Sequence, residues 1–312
     1  MSAKFGGSQK LCWPQKCTLC DLYGMALLSH SLLISIVANW FDGSSKGSMP
    51  TKPHTLSVGG PIYPDMRDQV ALVTGGSSGI GLATARAFAR QFARVLIASR
   101  DERVAKRALE TLAKDGDVQW LPVDVADSKS VSRLITAVIQ KHGQLNYAFN
   151  NGGNGGRLAP VAVMAETAWR KTIDGYLTSV FLCMSAEIGV MKKGGVIINN
   201  ASVDGLRGYP FPGGAAYSAA KHGVIGLTRS AALEHAVDGP RICAICPGWI
   251  NTPPVANWMK RDKDVAKAVL QQTPRGRIGD PEEVAASVLW LCSNAASFAI
   301  GTILAIDGGY MA

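Results

Sequence analysis

The chain has 312 residues, is 47% hydrophobic and 18% charged, and carries a formal charge of +9. This composition supports a large buried core and excludes intrinsic disorder for most of the chain. Lys and Arg alternate with acids along segments such as 102–114 instead of forming a basic stripe with aromatics, so nucleic acid is not an expected partner; a small polyanionic ligand is the simpler reading of the charge.

Residues 1–64 read as an N-terminal extension and 65–312 as one folded domain. The extension lacks strand–helix alternation and is rich in Ser, Gly and Pro over 42–64. Its segment Met25–Phe41 is mostly apolar, but only 17 residues long and broken by Ser29, His30, Ser31, Ser35 and Asn39. That is the short edge of what spans a bilayer. Two readings stand. Either 1–64 is a disordered tail or follows from a start placed too early, with Met49 as the alternative, or it targets or anchors the protein. The chain is accordingly expected to be cytoplasmic, or membrane-associated or organelle-targeted through 1–64 alone. Cys12, Cys17 and Cys20 crowd this segment without a second Cys or His pair to complete a zinc site. Cys183, Cys243, Cys246 and Cys292 lie singly in apolar runs and read as buried free thiols, not a disulfide framework.

From Asp65 short apolar runs alternate with amphipathic stretches. Strands are expected at Val70–Thr74, Val95–Ala98, Val118–Val123, Leu145–Asn150, Val196–Asn200, Ile242–Cys246 and Thr302–Ile306. Helices are expected at Ile80–Phe92, at Glu102–Lys114 after Asp101, from a Ser128 cap to His142, over Thr167–Met191 as one long helix, over Ala215–Ala236, and from Pro281. Pro281 suits a first helical turn, and Glu282 and Glu283 complement its positive end. Continuous apolar strands separated by helices predict an α/β fold: a doubly wound, Rossmann-type, seven-stranded parallel sheet with helices on both faces.

The first strand runs into Thr74-Gly75-Gly76-Ser77-Ser78-Gly79-Ile80-Gly81 and then a helix. Glycines there permit a tight turn and let a pyrophosphate reach the helix N-terminus. The second strand ends in Ser99-Arg100. An acid at this edge would bind a ribose 2′-hydroxyl, whereas Arg can hold a 2′-phosphate, so NADP(H) is favoured and NAD(H) is the alternative.

Tyr217 and Lys221 are four apart and share a helix face. A phenol with its ordinary pKa near ~10 is a poor acid–base catalyst at neutral pH. A nearby ammonium and the positive charge of an oxidised nicotinamide would lower it, fitting Tyr217 to exchange a proton with a carbonyl or alcohol oxygen.

With these motifs assembled in order, residues 65–312 resemble the short-chain dehydrogenase/reductase family, in the compact single-domain branch of 3-oxoacyl-carrier-protein reductases and hydroxysteroid or sugar-alcohol dehydrogenases. The resemblance rests on Thr74–Gly81, Asp124-Val125, Asn150-Asn151-Gly152-Gly153, Ser202, Tyr217–Lys221, Pro247–Thr252 and Asp307-Gly308-Gly309. It implies an oxidoreductase moving a hydride between a nicotinamide cofactor and a carbonyl or secondary alcohol. Tyr217 would be the general acid/base, Lys221 would lower its pKa and bind the nicotinamide ribose, and Ser202 would orient the substrate oxygen. Gly75, Ser77, Ser78, Gly79, Ile80, Gly81, Arg100, Asp124, Val125, Asn151, Gly152, Pro247, Gly248, Ile250 and Thr252 would hold the cofactor, with Asn150 also lining its cleft. No metal is implied. A homotetramer or homodimer would form through the two long helices, with Val224, Leu227 and Ala231 on the contact face.

Three departures from the family pattern stand out. Gly152 replaces an Ala. Ser202 precedes Tyr217 by 15 positions, leaving room for an inserted Gly208–Gly214 loop. Gly175-Tyr176 stands where the family often has an Asn that supports a proton-relaying water, which keeps open a catalytically weak sensor or scaffold of the same fold. The substrate pocket is expected from 154–164, 203–214 and 249–273, lined by Leu158, Val163, Tyr209, Phe211, Trp249, Trp258 and Met259, with Arg157, Arg207 and Lys260 at its rim. An alicyclic, steroid-like, aromatic or acyl substrate would fit it.

Overall fold

Seven runs dominated by Val, Ile, Leu and Ala pair into one parallel sheet, since strands apolar on both sides require cover on both faces. The computed structural model describes residues 62–156 and 158–312. Its strands are Val70–Thr74 (β1), Arg94–Ser99 (β2), Val118–Pro122 (β3), Tyr147–Asn150 (β4), Val196–Asn200 (β5), Arg241–Pro247 (β6) and Ile303–Ile306 (β7). The order across the sheet is β3-β2-β1-β4-β5-β6-β7, so the winding reverses between β1 and β4. All seven strands expected from sequence are present. The expectations placed on Met25–Phe41, Met49 and the first three cysteines lie outside the described residues.

The helices are Gly79–Arg90 (α1), Glu102–Leu112 (α2), Ser128–His142 (α3), Glu166–Ile173 (α4), Ser179–Ile188 (α5), Ala215–Glu234 (α6), Pro253–Arg261 (α7), Lys263–Gln272 (α8) and Pro281–Cys292 (α9). Alternate side chains of β1 feed two cores. Ala71 and Val73 meet Phe88 of α1, Leu112 of α2 and Val288 of α9. Val70 and Leu72 meet Leu134 of α3, Met184 of α5 and Ala231 of α6. This is the period-two alternation of a strand read as two hydrophobic layers.

Several local expectations are corrected. Asp127, not Ser128, caps α3: its carboxylate accepts from Lys129 N and Ser130 N, both at 3.1 Å. A full negative charge at the positive helix end outdoes a hydroxyl. Asp101 caps α2 as expected, accepting from Arg103 N at 2.9 Å. The single helix expected over 167–191 is two helices joined by a π turn at Asp174–Thr178, where Ser179 N reaches back to Asp174 O. Within 249–273, where no helix was expected, α7 and α8 form; both are short, and α7 opens on two prolines. Val224 and Ala231 are buried in the chain's own core, since both face the sheet, so they are not the contact face for a second copy. The exposed large apolar side chains of these helices are Trp169, Phe181 and Leu233.

Cys183, Cys243, Cys246 and Cys292 are buried free thiols. Among the described residues, no helix is long and apolar enough to cross a membrane, and no cluster of His, Cys, Asp and Glu could hold a metal ion.

Candidate active site

Ligands of open α/β sheets settle beyond the carboxyl ends of the strands where the winding reverses. Two cavities lie along that edge here. The first, of about 650 Å³, runs over the ends of β1 and β2 and is lined by Gly75, Ser77, Arg100, Asp124, Val125 and Gly152, all expected cofactor residues. The second, of about 550 Å³, contains Ile80, Asn151, Ser202, Tyr217, Lys221, Pro247, Gly248, Ile250 and Thr252. Ser78, Gly79 and Gly81 line neither cavity; they build the turn into α1.

The turn has the shape a pyrophosphate needs. Gly75 takes the left-handed conformation (φ +66°), and a Cβ there would sit 2.9 Å from Gly152 Cα. A Cβ on Gly81 would strike the Gly75 carbonyl. The glycine backbone is therefore closed on itself, and α1 starts at Ser78 with no side chain capping it. Its first N–H groups are left for a phosphate. Thr74 and Asn151 fix the facing loop: Thr74 Oγ1 accepts from Asn151 N at 3.1 Å and Gly152 N at 3.0 Å, and Asn151 Nδ2 donates to Thr74 O at 3.2 Å. At the end of β2 the Ser99 hydroxyl accepts from Trp120 Nε1 at 3.1 Å, and Arg100 lines that edge of the cavity beside Asp101 and Asp124. These features fit a dinucleotide.

Asn150 does not line the cleft. Next to Asn151 in a strand, it points the other way and is buried against Glu187 Oε2 (2.8 Å) and Asn199 Oδ1 (3.1 Å). The residue sequence reading missed here is Glu187, fully buried, its carboxyl pushed up to about 7 by burial. No periodic signal marked it, because it sits on an otherwise apolar helix face.

Helix α6 lays Tyr217 and Lys221 against the end of β5 and the turn after it. Lys221 is buried, and its ammonium donates to Asn200 O at 2.6 Å. Burial pulls its pKa down to about 8, against the favourable field of Asp204 among others. The Tyr217 ring lies 5.6 Å from Lys221 Nζ. Burial pushes the Tyr217 phenol well above its ordinary value, and the neighbouring Tyr176 adds to this, while a hydrogen bond with Ser202 works the other way. The lowering expected from Lys221 and an oxidised nicotinamide has this burial to overcome.

Tyr176, on the π turn, closes one side of the pair. Its ring meets that of Tyr217 edge-on and carries Lys221 Nζ at 5.2 Å from its centroid. The loop beyond β4 is cut to fit it: a Cβ on Gly153 or Gly155 would run into the Tyr176 ring, and a Cβ on Gly175 into the Asn154 carbonyl. Thr172 Oγ1 ties the same loop to α4, accepting from Gly156 N at 2.9 Å.

Opposite Tyr176, the Gly208–Gly214 loop delivers Tyr209 and Phe211. Tyr209 lies 6.1 Å from Tyr217, and Phe211 joins Trp249 and Trp258 in a cluster with centroids 5.4–6.0 Å apart. Leu158, Tyr209 and Trp249 line the second cavity as expected. Phe211 and Trp258 back it through Trp249. Val163 is exposed instead, and Met259 does not line the cavity. Arg207 is folded over the Tyr310 ring at 4.8 Å, and Arg157 lies outside the described residues. Asp204 and Tyr310 line the cavity without having been singled out; Tyr310 comes from the far end of the sequence, which spacing cannot reveal.

Known proteins resemble this chain in sequence and in fold. The profile of the family described as enoyl-(acyl carrier protein) reductase matches residues 75–311. A cis-4-hydroxycyclohexanecarboxylate dehydrogenase of Sinomonas cyclohexanicum is 39% identical, covering 78% of this chain and 97% of its own. A cyclohexanol dehydrogenase of an Acinetobacter species is 36% identical, covering 78% and 95%. The crystal structure of an actinorhodin polyketide ketoreductase variant with NADPH superposes with a TM-score of 0.72 at 31% identity, over 80% of this chain and 99% of that one.

Proposed function

Because the chain belongs to the short-chain dehydrogenase/reductase family, and is therefore a nicotinamide-dependent oxidoreductase acting at CH–OH and C=O groups, we propose that it interconverts a cyclic secondary alcohol and its ketone, with Tyr217 exchanging the proton and NADP(H) preferred over NAD(H). The observation that carries the reading is the junction of Ser202, Tyr217 and Lys221 in one cavity walled by Tyr209 and Trp249. Flat aromatic walls favour a compact ring over a flexible chain, because the ring loses little freedom on binding.

The cofactor, when bound, supplies or accepts the hydride. The chain's own residues do the rest. Ser202 holds the substrate oxygen beside the Tyr217 hydroxyl. In reduction the Tyr217 proton passes to that oxygen; in oxidation the phenolate takes it back. Lys221, anchored to Asn200 O, supplies the positive charge that favours the phenolate. Arg100 at the edge of the first cavity offers its guanidinium to a 2′-phosphate, which supports NADP(H). A homodimer or homotetramer burying Phe181 and Leu233 is the assembly this reading favours, and four buried thiols suit a reducing cytoplasm.

The test is a comparison of cyclohexanone with an acyclic ketone of equal carbon number, with NADPH, in wild type, Tyr217→Phe and Trp249→Ala. Preference for the ring that Trp249→Ala removes, and turnover lost in Tyr217→Phe with NADPH binding intact by tryptophan fluorescence, support it. Equal rates on both ketones sink the substrate class; undiminished turnover in Tyr217→Phe sinks the mechanism.

A further inference from the structure

Ser202 does not stand free to receive a substrate. Its Oγ accepts from Asp204 N at 3.1 Å, and its hydroxyl proton is directed to Asp204 Oδ2, also at 3.1 Å. A hydroxyl has one proton and two lone pairs. With both bonds made, Ser202 keeps no proton, and its one further lone pair is shared between the Tyr217 hydroxyl, which hydrogen-bonds with it, and any substrate O–H. It can accept from an alcohol O–H but has nothing to donate to a ketone oxygen. A ketone, which only accepts, then finds no partner in Ser202; an alcohol, which does both, still does.

Asp204 is placed to change this. It is buried, lines the substrate cavity, and sits on the single turn Val203–Gly205, which is locked to α6: Ser218 Oγ donates to Asp204 O at 2.8 Å. A Cβ on Gly205 would collide with the Lys221 carbonyl, so the turn lies directly against the helix. We propose that Asp204 is a positioning residue that sets the polarity of Ser202: the carboxylate takes the Ser202 proton, whereas the carboxylic acid donates to Ser202 Oγ and releases that proton to a substrate carbonyl. Asp204 transfers nothing to the product; it decides only which way the Ser202 bond points. This rests on the reading that Ser202 holds the substrate oxygen.

The groups facing Asp204 pull its titration in both directions. Burial raises its pKa, whereas the Ser202 bond, Arg207 on the same segment, and Lys221 and His222 on α6 lower it. Tyr209 from the following loop, Tyr217 from α6 and Tyr310 from the C-terminus are phenols whose ionisation Asp204 opposes. The acid form binds ketone, so ketone affinity falls as pH rises through the Asp204 titration, while alcohol affinity stays flat.

The experiment is KM for ketone and for alcohol against pH, at saturating cofactor, in wild type, Asp204→Asn and Ser202→Ala. The Asn amide donates to Ser202 Oγ at every pH and locks the donor arrangement. The expected result is a ketone KM rising about five- to tenfold with pH in wild type, the worth of one hydrogen bond, with alcohol KM level. Asp204→Asn should hold ketone KM low and flat. The same pH dependence in Asp204→Asn as in wild type overturns the proposal. If Ser202→Ala leaves ketone KM unchanged, the underlying reading of Ser202 fails instead. Independently of turnover, the infrared difference between cofactor-free wild type and Asp204→Asn should show a protonated carboxyl band that disappears as pH rises; a carboxylate at all accessible pH values overturns the proposal without any kinetics.

Discussion

Tyr176 meets Tyr217 edge-to-face, ring centroids 5.0 Å apart and planes at 86°, and the Lys221 ammonium lies within 6 Å of both rings. The residue that departs from the family pattern is thus in direct contact with both members of the acid–base pair. Edge-to-face pairs and cation–π contacts are each worth about 0.5–1.5 kcal/mol. Replacing Tyr176 by Asn removes both and empties the space between Gly153 and Gly155. The expected outcome is a fall in kcat of about tenfold, with Tyr176→Phe near wild type because it keeps the ring. A several-fold rise in kcat for Tyr176→Asn would show the ring to be an obstacle and favour the weak-catalyst reading of the chain.

Arg100 lines the first cavity at the end of β2, next to Asp101. Hydrogen bonds to charged groups are worth about 1.5–3 kcal/mol. Arg100→Ala should therefore raise the NADPH Kd by about 10- to 100-fold and leave NADH within twofold, measured by fluorescence titration. An NADPH preference that persists in the variant removes Arg100 from the role.

Glu187 is fully buried with its carboxyl raised to about 7. In the unfolded chain the same carboxyl ionises near ~4.3. The unfolded state therefore releases this proton first as pH rises, and stability from this group is lost between those two values. Glu187→Gln keeps an acceptor for Asn150 and carries no charge. It should stabilise the protein by about 3–4 kcal/mol at about pH 8 and by less than about 1 kcal/mol at about pH 4.5, read from denaturant unfolding. An equal effect at both pH values would mean that Glu187 is not the titrating group.

Glu283 shows the opposite sign. The Arg277 guanidinium grips it through two contacts of 2.7 Å, and the Asp280 N–H donates to it at 2.8 Å, holding its carboxyl down to about 2. Its contribution is present above the usual carboxylate range and lost as pH falls toward 2. Glu283→Gln should lower Tm at neutral pH and bring the two curves together in acid. Parallel curves down to about pH 2 would assign the acid sensitivity elsewhere.

Most of the fold was written in local chemistry. Seven apolar runs of strand length, separated by amphipathic stretches, leave little beside a doubly wound parallel sheet, and the glycines of 75–81 mark the one turn where a helix N-terminus must stay open. Tyr217 and Lys221 were legible for the same reason: a four-residue spacing on a helix is a spatial statement. Arg100 followed from its place at the end of the second strand, whereas Ser202, Asp124 and Val125 came from the family resemblance. The π turn at Asp174–Thr178 was not legible, because helical periodicity looks nearly continuous through it.

What the tertiary structure alone decided is which side chains face one another across elements distant in sequence. Asn150 was expected in the cleft and turned into the core because neighbouring strand residues alternate sides. Glu187 reads as one acid on a helix until the fold wraps it on every side. The fit of Tyr176 between Gly153 and Gly155, the hold of Asp204 on Ser202, and the arrival of Tyr310 in the cavity each join segments that no period connects. Sequence determined the fold and the chemistry available, since both depend on residue type at short spacing. The three-dimensional packing determined the protonation and orientation of the site, since burial and contact are properties of the whole.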